Sequence, residues 1–457
     1  MKTRYISLII IMLLVQNILE AQTLKRKGLL GITMQTLNDS IVKQENLKIN
    51  SGVLINTVMP NSTFFNLGVK EGDVLSKLNG ISVTTVQDVL AITRLLYEGD
   101  KIEADYYSEN KRKKKTTSLL GKPIEVFKNA NVKYSEVVYQ DNALRTILVT
   151  PKIIKNPPVV YFLQGYTCGS VETVSDQYPM KKLMNDWLEA GFAIYRIEKP
   201  GVGDSKSKKH CMQISFNEEL KAFQEGYKDL LKQKSIDTDN IFMFGHSMGG
   251  VIAPLLNELK SPRGIVTYGS IAQNWYDYMV DLYTIQPKHF GVSDEQIKED
   301  NKINLKFNKD FLINKLSGEE ILANKSYADF FSANITNFKQ NQYIGRHFDF
   351  WQNLSDVDIP RAWSKVNTKV LAMHGEFDIQ AISPKGAKRI AEIVNNNGGK
   401  GDFILINKAD HGFVNFNSMQ HNVETLGSGN YLRHAINNYS TDLGKETVKW
   451  MKSKLEK

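Results

Sequence analysis

Ser247 lies in a segment that can build a reactive serine. The mostly apolar run Asn240–Phe244 precedes Gly245-His246-Ser247-Met248-Gly249-Gly250, and an apolar stretch with helical character follows. Glycines on both sides of the serine allow a sharp reversal between strand and helix, which lifts the hydroxyl above the sheet edge at a helix N-terminus. A glycine-rich turn that only packs strand against helix is the alternative interpretation.

A serine hydroxyl becomes a nucleophile when an imidazole takes its proton and a carboxylate orients that imidazole. Asp378 follows the apolar run Val370–Met373, and His411 follows the apolar run Phe403–Ile406. Because parallel strands end at the same sheet edge, the sequence predicts that both side chains reach Ser247. Two other acids of these loops stay open as alternatives to Asp378: Glu376 and Asp410.

Two backbone N–H groups are predicted to stabilise the oxyanion of an attacked carbonyl. One belongs to Met248, directly after the serine, and the other to Tyr166, in the loop after the apolar run Val159–Leu163. Gly165 favours Tyr166 because a glycine lets the backbone approach a substrate closely.

The elements that position these residues are predicted to form a parallel sheet. Six short apolar runs without alternation are typical of strands buried on both faces. They are residues 159–163, 193–197, 241–244, 265–268, 370–373 and 403–406. Helical patterns lie between most of them, most clearly from Phe216 to Leu231, whereas residues 133–138 and 144–149 alternate and suit an antiparallel edge. This alternation of strands and helices predicts a doubly wound α/β sheet.

The stretch between Ile271 and Pro360 breaks the alternation. It contains many aromatic residues and no strong strand. It is too long for a plain connection, so we expect a helical cap at about residues 275–360, over the sheet edge where such folds bind ligands. Most of its aromatic residues are expected in the cap's own core and a minority against substrate.

With these motifs, the segment 123–457 resembles the α/β-hydrolase superfamily. The Gly-His-Ser-Met-Gly-Gly turn is similar to that of esterases, lipases and related serine hydrolases. The resemblance implies a mostly parallel sheet with a helical cap, and acyl-enzyme chemistry. Gln164-Gly165 departs from the His-Gly usual in this family, which leaves the form of the oxyanion site open. The turn Pro200–Ser205 also resembles this family and gives Asp204 no catalytic role.

Residues 25–120 are predicted to form a separate, small, β-rich domain. Short apolar runs are bounded by Gly, Pro, Asn and Asp, a helix is expected at Val86–Leu96, and a hairpin is expected to join Lys101–Ser108 to Thr116–Leu120. The segment resembles a PDZ domain of the periplasmic serine proteases. The matching residues are Gly28–Ile32, Pro60-Asn61-Ser62, Gly68–Leu75 and Asn79-Gly80.

The PDZ resemblance implies that a peptide C-terminus adds as a strand and that backbone N–H groups hold its carboxylate. The candidate residues for this carboxylate are Gly28, Leu29, Leu30, Gly31 and Ile32. A degenerate module that serves as a spacer is the alternative. The basic run Lys111–Lys115 is predicted at a hairpin tip, where charges are usually solvated; a patch for anionic ligands is the alternative.

Residues 1–21 are predicted to be a signal peptide. Lys2 and Arg4 precede the apolar run Ile6–Val15, which is too short to span a membrane, and Leu19 and Ala21 suit cleavage before the next residue. We therefore expect an exported protein, periplasmic or secreted from a bacterium. An uncleaved anchor is the alternative.

Composition removes several other classes of protein. Lys+Arg 58 against Asp+Glu 49 gives a net charge of only +9, without a concentrated basic face, so no nucleic-acid partner is expected. No metal-ligand spacing and no phosphate loop occurs, so neither a metal nor a cofactor is expected. The two cysteines, Cys168 and Cys211, lie after neighbouring predicted strands, and export favours a disulfide between them over two free thiols.

The leading hypothesis is an exported serine hydrolase that cleaves carboxylic esters through an acyl-enzyme. Ser247 attacks, His411 is the base, Asp378 orients it, and the PDZ-like module recruits a peptide or partner. One alternative is a peptidase of the prolyl-oligopeptidase or aminopeptidase type, to which the module would deliver a chain terminus. The other is a PDZ binding protein whose hydrolase domain is a scaffold.

Overall fold

The computed structural model describes residues 24–173 and 175–455. The predicted signal peptide lies outside the described residues. The chain divides into two compact units, the first ending at Ile124 and the second beginning at Glu125.

The first unit is built on one six-stranded antiparallel sheet. Its strands are β1 (Ile32–Thr36), β2 (Val53–Val58), β3 (Val74–Leu78), β4 (Ile81–Ser82), β5 (Lys101–Ser108) and β6 (Lys111–Ser118). The order is β1-β2-β3-β5-β6, with β4 paired to β3, so β1 and β6 are the edges. Three short helices accompany the sheet: α1 (Asp39–Gln44), α2 (Thr63–Asn66) and α3 (Val86–Thr93).

Helix α3 lies beside the free edge of β1. Its start is stabilised by a capping box between Thr85 and Asp88. The N–H of Val86 also donates to Thr36 Oγ1 on β1, at 3.1 Å. Buried apolar side chains from the sheet and the helices, among them Phe64, Leu75 and Val89, form a core within this unit.

The basic run Lys111–Lys115 lies on a strand, so its predicted place at a hairpin tip was wrong. The turn is Glu109-Asn110, with φ of 50° and 60°, and β6 begins directly after it, earlier than the predicted Thr116. Edge strands tolerate charged residues because their side chains remain in water. Two of the charges also pair across the strands, Arg112 with Asp105 and Lys114 with Glu103.

The second unit contains an eight-stranded, mostly parallel sheet. Its strands are β7 (Ala130–Tyr139), β8 (Asn142–Pro151), β9 (Pro158–Leu163), β10 (Ala193–Ile197), β11 (Asp237–His246), β12 (Gly264–Tyr268), β15 (Lys369–Gly375) and β16 (Lys400–Ile406). The order is β16-β15-β12-β11-β9-β10-β8-β7, in which β7 and β8 form the antiparallel edge. All six predicted parallel strands and the predicted antiparallel pair are present, which confirms the doubly wound sheet.

Helices cover both faces of this sheet. The helices that pack against it are α4 (Pro179–Glu189), α5 (Phe216–Leu230), α6 (Gly249–Asn257), α14 (Lys385–Asn396) and α17 (Thr441–Leu455). Two further helices, α15 (Met419–Gly427) and α16 (Tyr431–Asn437), lie between β16 and α17 in the chain. Alternate residues of the central strands enter two different cores: Ile241 and Met243 pack in one, and Phe242 and Phe244 in the other. The strands lack polar alternation because both of their faces are buried.

A mainly helical segment is inserted between β12 and β15. It contains α7 (Trp275–His289), α8 (Asp294–Leu312), α9 (Gly318–Ala323), α10 (Lys325–Phe330), α11 (Ile335–Lys339), α12 (Phe348–Ser355) and α13 (Ile359–Ser364). A short hairpin, β13 (Gln342–Tyr343) with β14 (Arg346–His347), interrupts the helices. Phe307, Phe311 and Phe338 pack with other aromatic rings inside the segment.

Candidate active site

Ser247 lies at the reversal between β11 and α6. Its φ is 55°, a left-handed conformation that is uncommon for residues other than glycine. The flanking glycines make the reversal possible, because a Cβ at Gly245 would lie 2.6 Å from the Gly249 carbonyl oxygen, and one at Gly249 would lie 2.0 Å from the Leu163 carbonyl oxygen. The Gly-x-Ser-x-Gly spacing is therefore a steric requirement of this turn.

Asp378 and His411 meet at the same edge of the sheet. Asp378 follows β15, His411 follows β16, and His411 Nδ1 lies 2.7 Å from Asp378 Oδ2. The N–H groups of Gln380 and Ala381 donate to the other carboxylate oxygen, each at 2.8 Å. With both of its oxygens engaged, the buried Asp378 side chain has one orientation, and that orientation sets the imidazole.

The two groups stabilise each other's charged forms. Burial raises the pKa of Asp378, but the charge of His411 and its hydrogen bond lower it by more. The pKa therefore falls below its ordinary value, to about 2. Burial lowers the pKa of His411, but Asp378 raises it by more, so the pKa lies above its ordinary value. The pair therefore favours a carboxylate next to an imidazole that accepts a proton readily.

Ser247 and His411 line one small cavity of about 60 Å³. Its lining is mainly apolar and aromatic: Tyr166, Met248, Val251, Gly269, Ser270, Ile271, Trp275, Tyr278, Gln380 and Ala381 complete it. Both predicted oxyanion residues, Met248 and Tyr166, are thus at the cavity. A Cβ on Gly165 would lie 3.1 Å from Ser247 Cβ, so the loop before Tyr166 passes directly beside the serine.

The two alternative acids are engaged elsewhere. Asp410 accepts from the N–H groups of Gly412 and Val414 through Oδ1 and from the Tyr431 hydroxyl through Oδ2. Glu376 accepts from the backbone N–H of Lys408 at 2.8 Å. The structure therefore brings Asp378, and neither of the other two, to the His411 ring.

The inserted segment forms one wall of the cavity through an aromatic stack that sequence reasoning missed. Trp275 on α7 stacks on Trp351 of α12 at 5.0 Å, and Trp351 contacts the Tyr166 ring at 5.5 Å. The Tyr278 hydroxyl donates to the Gln380 carbonyl at 2.5 Å, in the loop that holds Asp378. The abundance of aromatic residues was visible in the sequence, but their partners were not.

His246 also helps to hold the site together, a role that the serine motif alone did not predict. Its Nε2 lies 2.9 Å from the His411 carbonyl oxygen, which links the serine turn to the histidine loop. Burial lowers its pKa to about 3, so the ring is neutral and Nε2 carries the proton that it donates. Its position directly before Ser247 was the available sequence signal.

Cys168 and Cys211 form a disulfide, with Cα atoms 5.7 Å apart. Cys168 lies two residues after Tyr166 in the loop between β9 and α4, and Cys211 begins a 3₁₀ turn, Cys211–Gln213, after β10. The disulfide therefore tethers the loop beside Ser247. Asp204, to which we assign no catalytic role, forms a buried ion pair with Arg145 at 3.1 Å.

In the first unit, the five candidate carboxylate-binding residues are not equivalent. The N–H of Gly28 donates to the Leu96 carbonyl and that of Leu29 to the Leu120 carbonyl, at 3.1 and 2.8 Å. Gly31 has a φ of 76°, which places the loop at the start of β1 in a conformation suited to glycine. The N–H groups of Gly28 and Leu29 are thus already used, which narrows the candidates to Leu30, Gly31 and Ile32.

Within residues 24–173 and 175–455, no group of three or more His, Cys, Asp or Glu side chains is arranged to hold a metal ion. No helix in the same part of the chain is long and apolar enough to cross a membrane.

Comparison with known proteins gives one family match and several partial relatives. The family model described as "Serine aminopeptidase, S33" matches residues 175–290, a segment that includes Ser247 and ends before Asp378. A probable periplasmic serine protease do/HhoA-like of Haemophilus influenzae is 32% identical over 98 residues, 21% of each chain. Periplasmic serine endoprotease DegP of Salmonella typhimurium is 32% identical over 86 residues, 19% of this chain and 18% of its own. The chain thus spans about a fifth of the length of these curated relatives.

Among solved structures, Est1E from Butyrivibrio proteoclasticus is similar with a TM-score of 0.43 and 13% identity, covering 71% of this chain and 99% of its own. The strand order and the family match confirm the predicted fold class, an α/β-hydrolase sheet preceded by a small β-rich unit. The family match also supports the predicted class of enzyme, a serine hydrolase.

Proposed function

We propose that this serine hydrolase of the α/β-hydrolase fold cleaves small carboxylic esters through an acyl-enzyme. The observation that carries the proposal is the cavity at Ser247, which is small and mainly apolar. Among the described residues that line it there is no Asp or Glu. A neutral acyl group suits such a lining, whereas the ammonium group of a peptide N-terminus would lose its hydration without gaining a carboxylate partner.

The proposed reaction uses the three side chains in turn. Ser247 Oγ bonds to the ester carbonyl carbon while its proton passes to His411 Nε2, the nitrogen that the Asp378 contact leaves available. The tetrahedral intermediate expels the alcohol, which takes that proton. Water then attacks the acyl-enzyme, His411 accepts the water proton and returns it to Ser247 Oγ, and the carboxylic acid leaves.

The oxyanion is proposed to lie between the N–H groups of Met248 and Tyr166. Met248 is the N-cap residue of α6, so its N–H lies at the positive end of that helix. Tyr166 faces the same cavity from the neighbouring loop. Removal of one such donor from a hydrolase usually lowers kcat by about 10²–10³.

A peptidase is the second candidate, and two findings from the comparisons favour it. The matching family model describes serine aminopeptidases, and the partial relatives are named as proteases. Prolyl-oligopeptidase and aminopeptidase types would use the same three residues on an amide. A binding protein with an inactive scaffold is less well supported, because the Asp378–His411 pair and the serine turn are intact.

The experiment that separates these candidates compares two sets of substrates. Nitrophenyl esters of increasing acyl length and aminoacyl or peptidyl nitroanilides are assayed with the wild-type protein and the Ser247→Ala variant. We expect turnover of short-chain esters that the variant lacks and little release of nitroaniline. Amide cleavage as fast as ester cleavage would favour the peptidase, and turnover that survives in Ser247→Ala would reject the mechanism.

We also propose that the first unit is a PDZ-like module for a peptide C-terminus. The free edge of β1 would accept the peptide as an added strand, with α3 as the opposite wall. Leu30, Gly31 and Ile32 would hold the carboxylate. Recruitment of a peptide or a partner protein by this module leaves the chemistry to the second unit.

Export is proposed on three grounds. Residues 1–21 have the pattern of a signal peptide, the partial relatives are named as periplasmic, and the Cys168–Cys211 disulfide suits an oxidising compartment. The test is the intact mass of the protein after expression in a bacterial host. Cleavage of the signal peptide predicts the mass of a chain that starts at Gln22.

A further inference from the structure

Three charged side chains are buried together beside the loop that contains Tyr166. Lys199 follows β10, Glu219 lies on α5, and Arg346 lies on β14 of the inserted segment. Lys199 Nζ is 2.9 Å from Glu219 Oε1, and Arg346 Nη2 is 2.7 Å from Glu219 Oε2. All three side chains are at most 1% exposed. Burial of such a cluster costs desolvation free energy. Its role therefore depends on the groups to which the three side chains are hydrogen-bonded.

The two cations of this cluster, Lys199 and Arg346, donate hydrogen bonds to three successive backbone carbonyl groups. Lys199 Nζ donates to the carbonyl oxygens of Gly165 and Thr167, at 2.5 and 3.1 Å. Arg346 Nη1 donates to the carbonyl oxygen of Tyr166, at 2.5 Å. The backbone from Gly165 to Thr167 is therefore held from the side of its carbonyl groups by ionic donors.

The geometry of the peptide unit connects these hydrogen bonds to the proposed oxyanion donor, the Tyr166 N–H. The Gly165 carbonyl and the Tyr166 N–H belong to one planar trans peptide, in which they point in opposite directions. Lys199 fixes the direction of the carbonyl and so fixes the direction of the N–H. A cation on the carbonyl oxygen also polarises the amide and strengthens the N–H as a donor.

Arg346 reaches the loop from a strained hairpin. The turn between β13 and β14 places Ile344 at a φ of 47° and Gly345 at 70°. A β-branched residue at positive φ is energetically unfavourable and persists only where surrounding contacts impose it. Here the guanidinium lies 3.6 Å from the centre of the Phe350 ring and bonds to Glu219 and Tyr166, which are contacts that would impose the turn.

We propose that Lys199 and Arg346, joined through Glu219, are positioning residues that aim the Tyr166 N–H at the oxyanion. This inference rests on the proposed acyl-enzyme function. It links the inserted segment to the rate of the chemical step, because Arg346 belongs to that segment while Tyr166 belongs to the sheet edge. Neither cation is a catalytic residue, since both act through the backbone.

The charge of Lys199 gives the proposal a pH signature. The charged groups that face it are Glu219, Arg346 and Glu198, and burial is the largest effect on it, so its pKa falls to about 8. Above that pH the side chain loses its charge and polarises the Gly165–Tyr166 amide less. We therefore expect kcat to fall as the pH rises through about 8.

The test measures kcat, KM and their pH dependence with nitrophenyl acetate, using Ser247→Ala to subtract background hydrolysis. Lys199→Met is expected to lower kcat by about 10–10², less than the roughly 10²–10³ lost with a whole oxyanion donor, with KM changed less than about threefold. Lys199→Arg keeps the charge at high pH, so it is expected to retain most of kcat and to lose the decline above pH 8. Arg145→Met, which breaks the buried Arg145–Asp204 pair at the antiparallel edge, is the control for loss of stability alone.

Two results would overturn the proposal. One is a folded Lys199→Met protein, judged by its melting curve, whose kcat lies within twofold of wild type or falls no more than that of Arg145→Met. The other, which decides the matter if Lys199→Met does not fold, is a Lys199→Arg protein with an unchanged alkaline decline. Failure of the proposed function would look different, because the wild-type protein itself would then show no turnover that depends on Ser247.

Discussion

Two aspartates next to His411 have opposite electrostatic surroundings. Asp378 contacts the His411 ring, and that contact lowers its pKa to about 2. Asp410 directly precedes His411 in the chain, but burial raises its pKa to about 6, and its oxygens are bonded to Tyr431 and to two backbone N–H groups. The hydrogen bond therefore favours Asp378 as the proposed orienting acid, although Asp410 is closer to His411 in the sequence.

We expect Asp378→Asn to lower kcat by about 10⁴. An amide in place of the carboxylate holds His411 in the wrong tautomer and does not stabilise the imidazolium that forms when the ring takes the serine proton. Asp410→Asn should leave kcat within a few-fold, since an amide oxygen still accepts from Gly412 and Val414. Ester kinetics of the two variants, each checked for folding by circular dichroism, give the comparison. Equal losses would contradict the assignment of Asp378.

At the scale of elements, the first part of the loop after β9 is held by three separate contacts. The disulfide tethers it at Cys168, and Lys199 and Arg346 donate hydrogen bonds to its carbonyl groups. These contacts are consistent with a role that needs a fixed backbone, as an oxyanion donor does.

Removal of the disulfide by Cys168→Ser with Cys211→Ser should lower the free energy of unfolding. The two cysteines are 43 residues apart, for which the chain-entropy model gives up to about 4 kcal/mol. Denaturant unfolding with and without reductant measures the effect, and the double variant is its own control because reductant should no longer change it. An equally stable double variant would show that the bridge adds nothing.

The β1 edge of the first unit allows a matched test of the PDZ-like groove. Gly31 and Gly68 have φ of 76° and 75°, but a Cβ at Gly31 would lie 2.1 Å from Ser62 Cβ, whereas nothing lies within 4 Å of one at Gly68. Gly31→Ala should therefore displace the loop and weaken peptide binding at least tenfold, while Gly68→Ala, with similar backbone strain, should bind within a few-fold of wild type. The assay is calorimetric titration with peptides that end in an apolar residue.

The same peptides with an amidated C-terminus complete this test. Carboxylate capture by Leu30, Gly31 and Ile32 requires the free acid to bind more tightly. Equal affinity of acid and amide in the wild-type protein would rule out that mode of binding.

At the scale of the whole molecule, the chain has separate cores for its two units. Phe64, Leu75 and Ile102 are buried within the first, and Tyr161, Phe223 and Met243 within the second. All five tryptophans, at positions 187, 275, 351, 363 and 450, belong to the second unit. Tryptophan fluorescence therefore reports on the second unit alone, whereas circular dichroism reports on both.

Phe64→Ala should lower the stability of the first unit by about 3–5 kcal/mol, the usual cost of an emptied aromatic core site. We expect an earlier transition in circular dichroism and an unchanged transition in tryptophan fluorescence during heating. Phe223→Ala, in the core of the second unit, should move the fluorescence transition instead. A fluorescence transition that shifts equally in both variants would show that the two units unfold together.

The sequence alone determined the features that depend on short stretches of chain. The Gly-x-Ser-x-Gly turn, the buried parallel strands and the loops with Asp378 and His411 could be predicted because each depends on neighbouring residues and on a periodic apolar pattern. Parallel strands then bring loops that are distant in sequence to one sheet edge. The fold class, a doubly wound α/β sheet with an antiparallel edge, followed from the same patterns, whereas the order of the strands did not.

Tertiary structure alone decided how distant polar and aromatic groups are paired. It places Asp378, and not Asp410, in contact with the His411 ring. In the first unit it pairs the N–H groups of Gly28 and Leu29 with backbone carbonyl groups and puts the basic run Lys111–Lys115 on an edge strand. It also brought Lys199, Glu219 and Arg346 around one backbone loop. No local pattern encodes these pairings, because the partner of a buried charge is set by which elements pack together and by the cost of leaving that charge unpaired.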